Sequence, residues 1–270
     1  MPQEEPDRLA RSVTAGHDCP ACPLAGCSFR AVVAEAAARR TPRPQHQYAI
    51  SRGERIIEDG PSCKRIWVVV KGLVALATVL PDGRRQITDL SAPGDVICPV
   101  GAVIGAESWV EALGASIVCQ VALGDLMALN GHAHSLMAGL FRHTHRQLER
   151  HNGNMVMLGR FDGMERVWQF LVEITRRLGR QGVGGYRVDL PMSREDIADY
   201  LGLNSETVSR LFSRIRKTRL VTFISPTEFI VHDLAALERR LPTAGQPTES
   251  LFGRILFGWH AADPAEEAPG

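Results

Sequence analysis

Hydrophobic positions change their spacing along this chain, and the changes divide it. From position 48 to about 126, apolar residues fall in short runs separated by turn residues. The clearest runs are 66–70, 73–80, 86–90 and 116–121, with turns at Glu58-Asp59-Gly60, Lys71-Gly72, Pro81-Asp82-Gly83 and Pro93-Gly94-Asp95. Several short strands at this spacing predict an all-β barrel, roll or sandwich. Helical spacing then takes over. Met137, Phe141, Thr144, Leu148, His151, Met155 and Leu158 step by four and three in turn, a seam of ~3.5-residue period. Such a seam is either the buried face of a helix on its own domain or a dimer interface, and we expect the dimer. Thr144 and His151 are polar knobs that weaken it, which suits a dimer that forms only under some condition. A second amphipathic helix covers 164–180, with Met164, Val167, Trp168, Leu171, Ile174 and Leu178 on one side. The Gly-rich stretch 181–185 breaks it, and 186–190 alternates like a short strand.

The most informative segment is 192–219, MSREDIADYLGLNSETVSRLFSRIRKTR. Ser193 and Asp196 form a capping-box pattern that starts a helix. Gly202 closes it, and Asn204 or Ser205 caps the next. Val208, Leu211, Phe212 and Ile215 give the second helix its inward face. Helix, short Gly turn and second helix predict a helix-turn-helix. Glu206, Ser209, Arg210, Ser213 and Lys217 share the outward stripe. A helix in the major groove needs donors for guanine O6 and N7 and an acceptor for the cytosine amino group; Arg210 and Glu206 supply one each. Arg214 and Lys217 are placed to touch phosphate. The runs 220–224 and 229–231 flank Ser225-Pro226-Thr227 and predict a hairpin, so the unit reads as a winged helix.

Whole-chain charge would have hidden this. The 270 residues carry a net charge of +1, yet 206–219 holds Arg210, Arg214, Arg216, Lys217 and Arg219 against Glu206 alone. A hydrophobic content of 44% with 23% charged residues excludes a mostly disordered, collagen-like or simple coiled-coil chain. The polar N-terminus and the absence of a long apolar run give no signal peptide or membrane span, so the expected location is cytoplasmic. No Gly-rich phosphate loop, catalytic triad frame or HExxH pattern supports an enzyme.

Three of the six cysteines, Cys19, Cys22 and Cys27, follow C-x2-C-x4-C in one short loop. Four thiolates suit a zinc ion or an iron–sulfur cluster, so a fourth must come from afar. Zinc, and a metal-free thiol switch, stay open on spacing alone.

In order and motif the chain resembles the Crp–Fnr family of bacterial transcription regulators along most of 17–240. The GLNSETVSRLFSRIRK stretch is similar to that family's recognition helix. Glu206, Ser209 and Arg210 match the E-x-x-S-R pattern of the FNR branch, which reads a TTGAT-type inverted repeat. The resemblance implies an α+β fold: an N-terminal cysteine segment (1–40), a β-roll sensor domain like cyclic-nucleotide-binding domains (41–130), a dimerisation helix (131–160), a winged helix-turn-helix (161–241) and a C-terminal extension (242–270). It implies that Arg210 contacts guanine, Ser209 thymine and Glu206 the complementary bases. It also implies an oxygen-responsive, anaerobic regulator, a homodimer on palindromic double-stranded DNA, and a [4Fe-4S] cluster on Cys19, Cys22, Cys27 and Cys119. The family's best-known members have five residues, not four, between the second and third cysteines. Cys63 and Cys98 read as buried cysteines, with either an alternative fourth ligand. Family activators touch RNA polymerase through β-roll loops, and Pro81-Asp82-Gly83-Arg84-Arg85 lies at such a position. Cyclic-nucleotide binders of the family hold the phosphate with an arginine; here 93–116 has none, so a cyclic phosphate would face Asp95, Glu107 and Glu111 without a cationic partner. No cyclic nucleotide is expected. A cluster-free regulator of the FixK type is the rival reading. In the tail, Leu251, Phe252, Ile255, Leu256 and Trp259 have helical spacing, and the rest looks disordered.

Overall fold

The computed structural model describes residues 45–57, 65–97, 107–122 and 133–243. The Ala-rich run 31–40, which reads as a helix, the tail helix, and Cys19, Cys22, Cys27, Cys63 and Cys98 lie outside them.

Among the described residues eight strands come first: β1 (Gln45–Ile50), β2 (Arg55–Ile57), β3 (Arg65–Lys71), β4 (Val74–Val79), β5 (Arg85–Ser91), β6 (Val96–Ile97), β7 (Glu107–Ala112) and β8 (Ser116–Ala122). They form two antiparallel sheets, ordered β1-β8-β3-β6 and β2-β7-β4-β5. One core, including Ile50, Trp67, Val69, Val74, Val110 and Val118, draws on both sheets. Gly72 makes the β3–β4 turn at φ +91, where an added Cβ would lie 2.2 Å from the Ser116 hydroxyl.

The second sheet is buried on both faces. Val74 and Val110 belong to the roll's core, while Ala75, Ile87 and Leu90 belong to a second core shared with the C-terminal half. That explains why 73–80 reads as a continuous apolar run rather than an alternation. The second core continues through Met157 of α1 (Ala133–Arg160) into α2 (Gly163–Leu178) and the elements beyond. Those are β9 (Arg180–Gly182), β10 (Gly185–Asp189), α3 (Arg194–Leu201), α4 (Ser205–Arg216), β11 (Val221–Ser225), β12 (Glu228–Val231) and α5 (Leu234–Glu238). The last four strands form one sheet, β11-β12-β10-β9, beside the helix pair. No helix among the described residues is long and apolar enough to cross a membrane.

A capping box separates the long helix from α2. The Asp162 carboxylate accepts from Met164 and Glu165 N–H, and Glu165 accepts from Asp162 N–H. Arg166 then ties the corner, donating to Leu158 O at 2.8 Å, Phe161 O at 3.0 Å and Leu201 O at 3.0 Å. One guanidinium thereby satisfies carbonyls left over at the ends of α1 and α3.

Arginines also join the β-roll to α3. Arg52 donates to Leu113 O at 2.5 Å, Pro191 O at 3.0 Å and Asp196 at 2.5 Å. Arg85 bonds Asp199 at 2.6 Å, Asp196 at 3.2 Å and, from the same side chain, Glu111. Burial opposes ionisation of Asp196, but bonds from Ser193 and Arg52 outweigh it and hold its pKa below the ordinary 3.8. Burial raises that of Asp199, which Arg85 opposes. Arg85→Ala would leave three carboxylates around a missing cation. The cost should lie between the ~1 kcal/mol of an exposed pair and the ~3–5 kcal/mol of a broken buried one. The expected result is a Tm several degrees lower in a thermal scan; an unchanged Tm would contradict the clamp.

Candidate nucleic-acid interface and sulfur site

The helix pair forms as its local sequence dictates. Ser193 caps α3 in a reciprocal capping box with Asp196, and Gly202 ends it in the left-handed conformation at φ 61. Asn204 caps α4 by accepting from Thr207 N–H at 2.7 Å. Val208, Leu211, Phe212 and Ile215 are buried, and Phe212 stacks on Phe223 of the hairpin with ring centroids 5.0 Å apart. The opposite face is open: Glu206, Ser209, Arg210, Ser213, Arg214 and Lys217 are all exposed. Lys217 is the C-cap of α4 rather than a residue within it. Arg210 and Glu206 hold each other at 2.5 Å. Ser209 and Ser213 hydroxyls donate back to Ser205 O and Ser209 O, each at 2.9 Å, which leaves their oxygens as outward acceptors.

Arg194, and Arg216 of the basic run 206–219, lay their guanidinium groups over aromatic rings of the winged helix. The Arg194 guanidinium lies 4.2 Å from the Phe212 ring centroid, and that of Arg216 lies 5.7 Å from the Phe223 centroid. Burial, then repulsion from Arg216, lowers the pKa of Arg194. Stacking on rings some distance along the chain gives no local sequence signal.

Along α1 the seven seam residues divide. Met137, Phe141, Leu148 and Met155 are 53%, 55%, 56% and 66% exposed, an apolar stripe on the outside of the protomer. Thr144 is exposed beside them and satisfies its hydroxyl on Leu140 O at 3.0 Å. His151 and Leu158 turn inward. His151 lies 3.7 Å from Asp89 of β5, and Leu158 packs on the second core. Asp89 also receives Gln147 at 3.1 Å and Arg150 at 3.3 Å. Burial raises the Asp89 pKa, but His151 and Arg150 outweigh it, and the net shift is downward.

Cys119 sits mid-way along β8 and is 8% exposed. Its neighbour Val118 enters the roll's core, so Cys119 stands on the opposite face of the sheet. Its register partners are Gln47 on β1 and Val68 on β3. Among the described residues no cluster of three or more His, Cys, Asp or Glu forms a metal site. The donor chemistry nonetheless fits a thiolate-held group: Gln47, beside Cys119, carries a buried amide nitrogen with no hydrogen-bond partner.

Comparison with known proteins bears on the fold and the helix pair together. A Crp-like helix-turn-helix domain matches 165–240, and a cyclic nucleotide-binding domain matches 49–130. The "Nitrogen fixation regulation protein FixK" of Bradyrhizobium diazoefficiens is 31% identical over 210 residues, covering 77% of this chain and 88% of that protein. The chain belongs to the Crp/Fnr family. The "Fumarate and nitrate reduction regulatory protein" of Yersinia pestis, similar to it at 26% identity over 175 residues, covers 64% of this chain and 70% of its own. The solved structure of FixK2 from Bradyrhizobium japonicum matches with a TM-score of 0.63 and 32% identity, over 72% of this chain and 96% of that one. As a Crp/Fnr protein the chain is a DNA-binding transcription regulator, and it is not an enzyme.

For a Crp/Fnr β-roll, the carboxylates of 93–116 have an unexpected setting. That segment supplies no cation, but other elements do. Asp95 meets Arg177 of α2 at 2.5 Å and Arg150 of α1 at 3.6 Å; Glu107 meets Arg55 at 3.0 Å, and Glu111 meets Arg85. Each of the three acids is thus paired with an arginine from outside 93–116.

Proposed function

We propose that this regulator pairs through the exposed stripe of α1 and reads a TTGAT-type inverted repeat, and that both depend on an oxygen-labile [4Fe-4S] cluster held by Cys19, Cys22, Cys27 and Cys119. The observation that carries the reading is the outward face of α4, where Glu206, Ser209 and Arg210 stand exposed in the E-x-x-S-R order. The cysteine spacing supports the cluster, as does the register Gln47↔Cys119. In the sequence, the segment bearing Cys19, Cys22 and Cys27 precedes the strand that pairs with the strand of Cys119.

Bound there, the cluster supplies a crosslink between the N-terminal segment and the β-roll that oxygen destroys. The chain's own residues do the rest. Met137, Phe141, Thr144, Leu148 and Met155 meet their copies across a two-fold axis, with His151 and Leu158 anchoring the same helix to its protomer. Asp89 and Asp95 hold α1 through Gln147 and Arg150, and Asp95 holds α2 through Arg177. The β-roll therefore grips both the pairing helix and the base of the winged helix. A coupling of only ~1–3 kcal/mol through these contacts changes occupancy about 5–150-fold.

Paired protomers present two α4 helices about 34 Å apart, one DNA turn. On the operator the Glu206–Arg210 pair opens. Arg210 donates to guanine O6 and N7, Glu206 accepts from the cytosine amino group, and Ser209 meets thymine. Ser213, Arg214 and Lys217 line the backbone. The exposed hairpin turn at 81–84 is the surface offered to RNA polymerase; Arg85 is committed to the clamp on α3.

The FixK similarity favours a second reading, a regulator with the same helix pair and no cluster. Purification under argon separates the two. The account predicts a brown protein with about four iron and four sulfide per chain. Zinc in their place gives the thiol-ligated alternative, and a colourless, metal-free protein the FixK type.

A further inference from the structure

The face of the β1–β8 pair that bears Cys119 holds a polar group with nothing to bind. Gln47, the cross-strand partner of Cys119, is 7% exposed, and Val68 on the other side is 2% exposed. Directly opposed side chains in an antiparallel pair stand on one face with Cβ atoms ~4.5–5.5 Å apart. The Gln47 Nε2 is buried and makes no hydrogen bond among the described residues. Such an orphan is expensive, and most buried polar groups avoid it. A leucine would fill this position at no such cost.

The neighbouring sulfur indicates the missing acceptor. A neutral thiol is a weak acceptor, whereas a metal-bound thiolate or sulfide carries negative charge and accepts an N–H far better. We propose that Gln47 is the outer partner of the Cys119 ligand site, donating from Nε2 to the Cys119 thiolate or to a sulfide of the group that it holds. This rests on the cluster reading above and deepens it. The hydrogen bond draws electron density from sulfur. Hydrogen bonds to the sulfurs set the potentials of iron–sulfur clusters, and partners of this kind tune metal ligands generally. Gln47 is thus a positioning and tuning residue, and sets how quickly oxygen dismantles the site.

Gln120 supplies an internal control. It stands on the core face of the same sheet, accepts from the Tyr48 hydroxyl at 2.9 Å and also has an unpartnered Nε2. The test compares full-length wild type, Gln47→Leu and Gln120→Leu, each metal-free and each reconstituted under argon with iron and sulfide. Metal-free Gln47→Leu should melt at or above the wild-type temperature, since an orphan has been removed. Reconstituted Gln47→Leu should take up as much iron, yet its visible absorbance should bleach in air about tenfold faster, the lower end of the ~10–100-fold effects seen for outer partners of metal ligands. Gln120→Leu should bleach at the wild-type rate. Equal bleaching of Gln47→Leu and wild type at equal iron content would overturn the inference alone. So would a lower melting temperature of metal-free Gln47→Leu, which would show the amide already bonded without metal. Wild type that takes up no metal would overturn both the inference and the reading beneath it.

Discussion

Leu148→Asp gives a folded protein that no longer pairs. Leu148 is 56% exposed in the protomer, so the substitution removes nothing from either core. In the dimer it meets its two-fold copy. Fully burying a leucine stabilises by ~1.5–3 kcal/mol; with 56% of Leu148 left to bury, two copies across the axis bring the loss to roughly 2–3 kcal/mol. At ~1.4 kcal/mol per tenfold, the dimer dissociates about 30–150-fold more readily before the two facing carboxylates add their repulsion. Sedimentation velocity should find a monomer with the wild-type Tm, and operator binding should fall with pairing. A Leu148→Asp protein that still sediments as a dimer would place the interface elsewhere. Met157→Asp is the contrasting case. That side chain is 2% exposed and belongs to the second core, so its loss should unfold the junction rather than separate protomers.

Arg210→Ala should cost base recognition at both half-sites. A bidentate arginine–guanine contact is worth ~1–3 kcal/mol of discrimination. Two per operator give roughly 2–6 kcal/mol, or about 30-fold to 10⁴-fold in affinity. The loss should be confined to operators that retain the guanine, leaving sequences mutated there bound as before. The fold should not change, because Arg210 bonds Glu206 on the surface and both side chains are 73% exposed. An equal loss on every sequence, with a reduced salt slope, would make Arg210 a phosphate contact instead. Fluorescence anisotropy on matched and mutated operators at two salt concentrations reads both quantities.

The helix pair was legible because every signal that makes it is local. Ser193, Asp196, Gly202 and Asn204 act within four residues of their partners, and the inward stripe of α4 repeats within a single helix. The β-roll was legible only in part. β3, β4, β5 and β8 stood out as strand-like runs, whereas β1 begins with Gln45, His46 and Gln47, and β7 carries Glu107 and Glu111. Those two acids tolerate a strand because Arg55 and Arg85 neutralise them from other strands of the same sheet. β9 is exposed throughout and is held by backbone pairing with β10, so it leaves no side-chain pattern. The seam was found by period, but period cannot say which members face outward. His151 and Leu158 share the repeat and yet are drawn back by Asp89 and the second core. The clamp on α3 was invisible for a different reason: Arg52 and Asp196 are 144 residues apart, and Arg85 and Asp196 are 111 apart.

Metal-thiolate chemistry divides along the same line. C-x2-C-x4-C is a local signal, while Cys119 was nominated by resemblance, since nothing in SIVCQVAL marks its cysteine as a ligand. The buried amide of Gln47 beside it is a feature that only strand register reveals.

The most direct measurement is operator binding by one preparation kept under argon and then exposed to air. A TTGAT palindrome should be bound tightly by the oxygen-free dimer, and affinity should fall in step with the visible absorbance as iron is lost. Equal affinity before and after exposure, with the colour gone or never present, would contradict the account.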